Sequence, residues 1–240
     1  MSREKSGFLS ALGVLFQILK TILDDVLAVG GNDEDFRQIQ TNPELRRQII
    51  ELIVSARKSA KAQLAFWENF YKKYFNLRVD FSSVKIPPKP AGFDRLIVVA
   101  QGLTRNQTYD VLAKHFPCWR YIEDLDATIP TNDRDPKNGA YAIWVRDRVE
   151  ADEENKNLSA NRLKGQNHQC ITLLERMLYE LKYWDETGQH LDIQNWTLCT
   201  GSRFSDGGVP VAGWSDGKFR IGWCYPDQAD DDIRSRPVVS

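Results

Sequence analysis

Ile86-Pro87-Pro88-Lys89-Pro90-Ala91-Gly92-Phe93-Asp94-Arg95-Leu96-Ile97-Val98-Val99-Ala100 is the stretch on which the reading of the fold turns. Pro87, Pro88 and Pro90 hold the chain in an extended, semi-rigid spacer. The apolar run Leu96 to Ala100 then has the composition of a strand covered on both faces. The contrast predicts a linker over residues 77–92, with a helical module (1–76) before it and a mixed α/β domain (93–226) after it. A polar, acidic tail over 227–240 should fray.

Upstream of the linker, an apolar segment from Phe8 to Val29 ends at Gly30-Gly31, which supply the left-handed backbone of a helix stop. Phe8 to Leu19 has the look of a short signal-peptide core, yet Lys20, Asp24 and Asp25 interrupt it before the ~20 residues that a bilayer needs. It is read as a retained amphipathic helix. Its apolar face spans most of the circumference, more than one neighbouring helix covers. Phe8, Leu12, Leu15, Phe16, Leu19 and Leu23 are therefore the candidate contacts of a homo-oligomer. After a short helical turn over Asp33 to Gln40, Asn42-Pro43-Glu44 caps and opens a second helix, expected to reach about Asn76. An N-terminal α-helical hairpin is the simplest product.

Downstream, Thr104-Arg105-Asn106-Gln107 matches a capping box and starts a helix to about His115. Strands are expected over Pro117 to Ile122, Ala140 to Arg146, Ile193 to Cys199, Val209 to Trp214 and Phe219 to Tyr225, the last two joined by an Asp216-Gly217 hairpin turn. Short helical residues 158–164 precede the best-patterned helix, Ile171 to Thr187, with Gly188 past its end. Strands with helices between some of them make a mixed sheet, α+β or α/β in class, flanked by helices.

Composition narrows the function classes. With 42% hydrophobic and 27% charged residues the chain is of ordinary globular type. The net charge of -1 hides a basic start and an acidic remainder: 14 Lys+Arg against 10 Asp+Glu in residues 1–91, and 18 against 23 in 92–240. An acidic main domain argues against a phosphate backbone as partner. Cys118, Cys170, Cys199 and Cys224 form no C-x-x-C, and the three histidines are not spaced for zinc. Reduced thiols, no metal and no cofactor are expected, in a soluble cytoplasmic protein whose partner is itself or another protein.

Four constellations invite chemistry, and each has a plainer reading. The acidic loop Asp124 to Asp135 offers carboxylates to a hard cation, but departs from the calcium-loop template and reads as a solvated loop. Thr200-Gly201-Ser202-Arg203, followed by Asp206, could cradle a phosphate or carboxylate, with Arg146 at another strand end as a second cation. It lacks the Walker ending, and a tight turn is the plainer reading. The charges from Arg146 to Glu154 read as a strand-end cap, and six tryptophans between Trp119 and Trp223 read as core. His190, between a helix and a strand, is the most interesting single base, though a loop-tying histidine explains it as well.

Tyr141 to Asp147, Glu150 to Glu153, Ile171 to Arg176, His190-Leu191-Asp192 and Thr197 to Arg203 carry a resemblance. Through them the segment from Phe93 to about Tyr225 resembles a group of uncharacterised proteins from small-genome candidate-phyla bacteria. The resemblance implies a bacterial protein and a separable N-terminal module, and assigns no functional residues. The expectation is a non-enzymatic scaffold or interaction module that self-associates through its N-terminal helices. The competing expectation is a phosphate- or nucleotide-binding protein or enzyme using Arg203, Ser202, Asp206, Arg146 and His190.

Overall fold

In the computed structural model, residues 16–17 and 19–240 are described, without the side chains of residue 33 and of 53–58. The chain divides into two compact units, Met1–Ser59 and Ala60–Ser240. Phe8, Leu12 and Leu15 lie outside the described residues.

The first unit is helical. α1 covers residues 16–17 and 19–28, and Gly30 (φ +88°) ends it in the left-handed region while the Gly31 amide donates to Val26 O at 2.9 Å. α2 (Asp33–Thr41) carries a reciprocal cap between Asn32 and Asp35. α3 (Pro43–Lys58) starts where Asn42 Oδ1 accepts from the amides of Glu44 and Leu45, at 3.0 and 3.1 Å. Phe16 and Leu19 are exposed and Leu23 half-exposed.

The expected long helix breaks at Ser59, and its second half, α4 (Ala60–Phe75), belongs to the other unit. The unit boundary therefore falls ahead of the proline-rich segment. Two observations explain why. Trp67, Phe70 and Tyr71 of α4 are fully buried, and the Tyr71 hydroxyl donates to Val98 O (2.9 Å) while accepting from the Ala100 amide (3.0 Å). Residues 77–92 are also packed rather than free: Phe81 is in the core, and Trp144 Nε1 donates to Pro87 O at 2.9 Å. Burying these aromatic rings outweighs any local preference for an open spacer.

The rest of this unit is α+β. β1 (Arg95–Val99) pairs antiparallel with β4 (Tyr141–Val145) as a two-stranded ribbon, both strands buried. β2 (Cys118–Arg120), β8 (Lys218–Cys224), β7 (Val209–Ser215), β5 (Trp196–Leu198) and β9 (Ile233–Arg234) form a mixed five-stranded sheet in that order. β3 (Thr131–Asn132) and β6 (Ser202–Arg203) make a third, two-stranded sheet. The single mixed sheet expected from sequence is thus divided. At the β7–β8 turn Asp216 (φ +51°) and Gly217 (φ +70°) both adopt left-handed backbone, as a two-residue hairpin with strand-matched twist requires.

α5 (Arg105–His115) and α8 (Leu173–Thr187) cover the inner face of the five-stranded sheet, packing on Phe219, Ile221 and Ala212. α7 (Ala160–Gly165) lies on the outer face against Leu198, Val209 and Val211. α6 (Leu125–Thr128) is a single turn inside the acidic loop. The expected frayed tail is ordered. It contributes β9, buries Ser235, Arg236 and Val238, and bridges Trp144 of β4 through Val239. The tail thereby ties the ribbon to the five-stranded sheet. No helix among the described residues is long and apolar enough to cross a membrane.

Candidate functional site

The residues singled out from sequence are brought into structural roles. Ser202 Oγ accepts from the Leu173 amide (3.0 Å) and donates to Asn132 Oδ1 (2.7 Å), so it occupies the N-terminus of α8. That terminus is also closed by the Thr172–Glu175 capping box, with Glu175 gripped by Arg134 at 2.6 and 2.9 Å. The anion seat that a helix start offers is therefore filled by the protein's own carboxylate. Gly201 runs against the carbonyls of Cys170 and Ile171, which a Cβ would meet at 2.7 and 3.1 Å. Arg203 Nη1 donates to Thr200 O and Ser202 O, and burial pulls its pKa below the usual arginine value. Asp206 accepts from the Gly208 amide and Trp223 Nε1. Arg146 pairs with buried Asp152 at 3.1 Å and lies over the Phe93 ring. Each of the four is thus held by its own local partners.

The other charged stretches are structural too. Asp124 caps α6, and Asp126 accepts from the first amides of α5. Glu150 receives the amides of Ile193, Gln194 and Asn195, a carboxylate seated in a backbone nest. Among the described residues no group of three or more His, Cys, Asp or Glu could hold a metal ion.

His190 leads into a buried ionic chain between α8 and the sheet. Its ring stacks on Trp214, centroids 3.4 Å apart and planes 10° apart, and Nδ1 lies 2.8 Å from Glu180 Oε1. Glu180 binds Arg176 (2.8 Å), Arg176 binds Asp192 (2.9 Å), and Asp192 binds Arg236 (2.5 Å) and the Thr197 hydroxyl. Two guanidinium groups balance two carboxylates, all fully or almost fully buried. Such a chain specifies how α8, the loop before β5 and the tail meet.

Two concavities of this unit are large enough to consider for a small ligand. One, of about 590 Å³, lies among the C-terminal ends of α4, α5 and α8 and is lined by Lys73, Tyr74, His115, Trp184, Asp185 and Gly188. Asp185 is already engaged by Lys73 (2.5 Å) and the Tyr74 hydroxyl, and His115 is wedged between the Tyr74 and Trp184 rings. Burial, then Lys73, lowers the His115 pKa.

The other, of about 280 Å³, opens on the outer face of the five-stranded sheet. Strand register puts Trp119, Arg220, Gly213, Trp196 and Ile233 in one row across all five strands. At ~4.8 Å per strand the two tryptophan backbones stand ~14 Å apart. Val211 and Gly222 make the floor, and Trp196 lies over Gly213, whose Cβ would meet its ring at 3.1 Å. Gln228, Asp230 and Asp232 form the rim. Burial, then Asp230 and Asp227, pushes the adjoining Cys224 thiol up to about 11.

Sequence reasoning placed these tryptophans in the core, whereas Trp119 is 44% exposed. The signal that finds the groove is the alternation Phe219-Arg220-Ile221-Gly222: two apolar side chains point inward, and an arginine and a glycine outward. Compared with known proteins, the chain matches no family model, no curated protein and no solved structure.

Proposed function

We propose that this protein is an interaction module that self-associates through its N-terminal unit, with the Ala60–Ser240 unit acting as a recognition scaffold and not as a catalyst. One observation carries the reading. Phe16, Leu19, Ile22, Leu27, Val29, Ile50 and Leu52 make up seven of the fourteen exposed large hydrophobic residues among those described, in a unit of 59 residues out of 240. Apolar surface so concentrated marks a protein contact, and a second copy of the chain is the partner always present at matching concentration. The charged side of the same helices is laced by Lys20–Asp24 and Glu44–Arg47–Glu51 pairs, as suits a solvated outer face. The free thiols of all four cysteines fit a reducing, cytoplasmic setting.

Light scattering of the full chain tests this. A particle of at least two chains is expected at micromolar concentration, and Leu19→Glu with Ile22→Glu should return it to one chain without loss of helical signal. An unaltered protein that stays a monomer under those conditions would overturn the reading.

A further inference from the structure

We propose that the outer groove of the five-stranded sheet binds a short neutral saccharide, seated between Trp119 and Trp196. This inference stands apart from self-association, because every residue it uses lies within the Ala60–Ser240 unit. The argument begins with what the groove offers a ligand. Trp119 is among the few large aromatic side chains this unit leaves open to water, and the row it begins carries a second tryptophan, Trp196, three strands away. Gly222, beside Val211 on the floor between them, keeps it low enough for a ring to lie across the strands. A sugar ring has an apolar C–H face that gains by covering an indole, while its edge is a band of hydroxyls.

The rim matches that edge. A hydroxyl both donates and accepts, so it needs carboxylate or amide acceptors beside N–H donors. Among the described residues Asp232 makes no ion pair, and the Asp230 carboxylate accepts from Gln228 Nε2 alone, which leaves acceptor capacity on both. Arg220 supplies the donors. Its Nη2 is held by Asp216 at 2.7 Å and its guanidinium lies 5.7 Å from the centre of the Trp119 ring. Its Nε is buried and makes no hydrogen bond, so a single carboxylate anchors the fork and the outer guanidinium nitrogens are the ones that face a ligand.

Charge decides against the other occupants. Phosphates would meet Asp230 and Asp232 with the one arginine already neutralised, so a nucleic acid strand is disfavoured despite the stacking surfaces. A cationic side chain would have to share the Trp119 region with the Arg220 guanidinium. The volume, near the low end for small-molecule sites, suits one or two sugar rings.

The test uses the full chain. Short gluco-, manno-, xylo-, galacto- and chito-oligosaccharides are titrated by tryptophan fluorescence and calorimetry, beside an oligolysine peptide and an oligothymidine. At least one saccharide should bind with Kd of about 1 mM or tighter. Trp119→Ala should weaken it by about tenfold or more, Trp119→Tyr should keep most of the affinity, and Asp232→Asn should weaken it less. Far-ultraviolet circular dichroism and the melting temperature should not move in Trp119→Ala. No binding by any of these saccharides overturns the proposal, as does saccharide binding that Trp119→Ala leaves unchanged. Trp119-dependent binding of oligolysine or oligothymidine alone would do the same, reassigning the groove to a basic peptide or a single strand.

Discussion

Asp192 is where the two buried guanidinium groups, Arg176 and Arg236, meet. It is fully buried, holds a left-handed backbone (φ +54°), and accepts from Arg176, Arg236 and Thr197 at once. Removing one partner of such a set leaves the others charged in a dry place. Asp192→Ala should therefore lower unfolding stability by about 3–5 kcal/mol, read as a shift of the urea midpoint at constant slope. His190→Gln, at the wetter end of the same chain of contacts, should lose much less. Sequence inspection draws attention to His190 because a lone histidine near a helix end suggests a base. It cannot reveal Asp192, whose partners come from α8, the tail and β5, far apart along the chain. The phosphate cradle imagined at Thr200–Arg203 has an equally plain cause: Ser202 and Glu175 occupy the donors that an anion would use.

Among the elements, those specified by neighbours in sequence were legible and those specified by distant contacts were not. α5, α8 and the β7–β8 hairpin announce themselves through a capping box, a left-handed glycine and an Asp-Gly turn, and each stands where expected. β9 and the ordered tail gave no such signal, since their strand character comes from pairing with β5 and from the Val239 bridge to β4. The groove was hidden for a related reason. Which face of a sheet lacks a cover depends on where α7 stops, not on the strands themselves. α8 supplies a direct check of local specification. Thr172→Ala removes the oxygen that accepts the Glu175 amide, and should cost about 1 kcal/mol in thermal or denaturant unfolding.

At the level of the molecule, the proline-rich stretch reads as a boundary, but the compact unit begins at Ala60. The discrepancy has a physical source: prolines report local stiffness, while unit boundaries follow buried area, and α4 with Phe81 contributes four of the core's aromatic rings. A chain beginning at Ala60 should unfold in one cooperative transition. One beginning at Phe93 loses Trp67, Phe70, Tyr71 and Phe81 together and should fail to give a cooperative transition at all. The Tyr71 hydroxyl has a wider meaning in that light. It plugs the row of backbone groups that β1 would otherwise present on the side away from β4. With that stopper withdrawn, the strand becomes a template on which another molecule can polymerise. Damage to α4 should therefore appear in cells as inclusion bodies rather than as soluble unfolded chain.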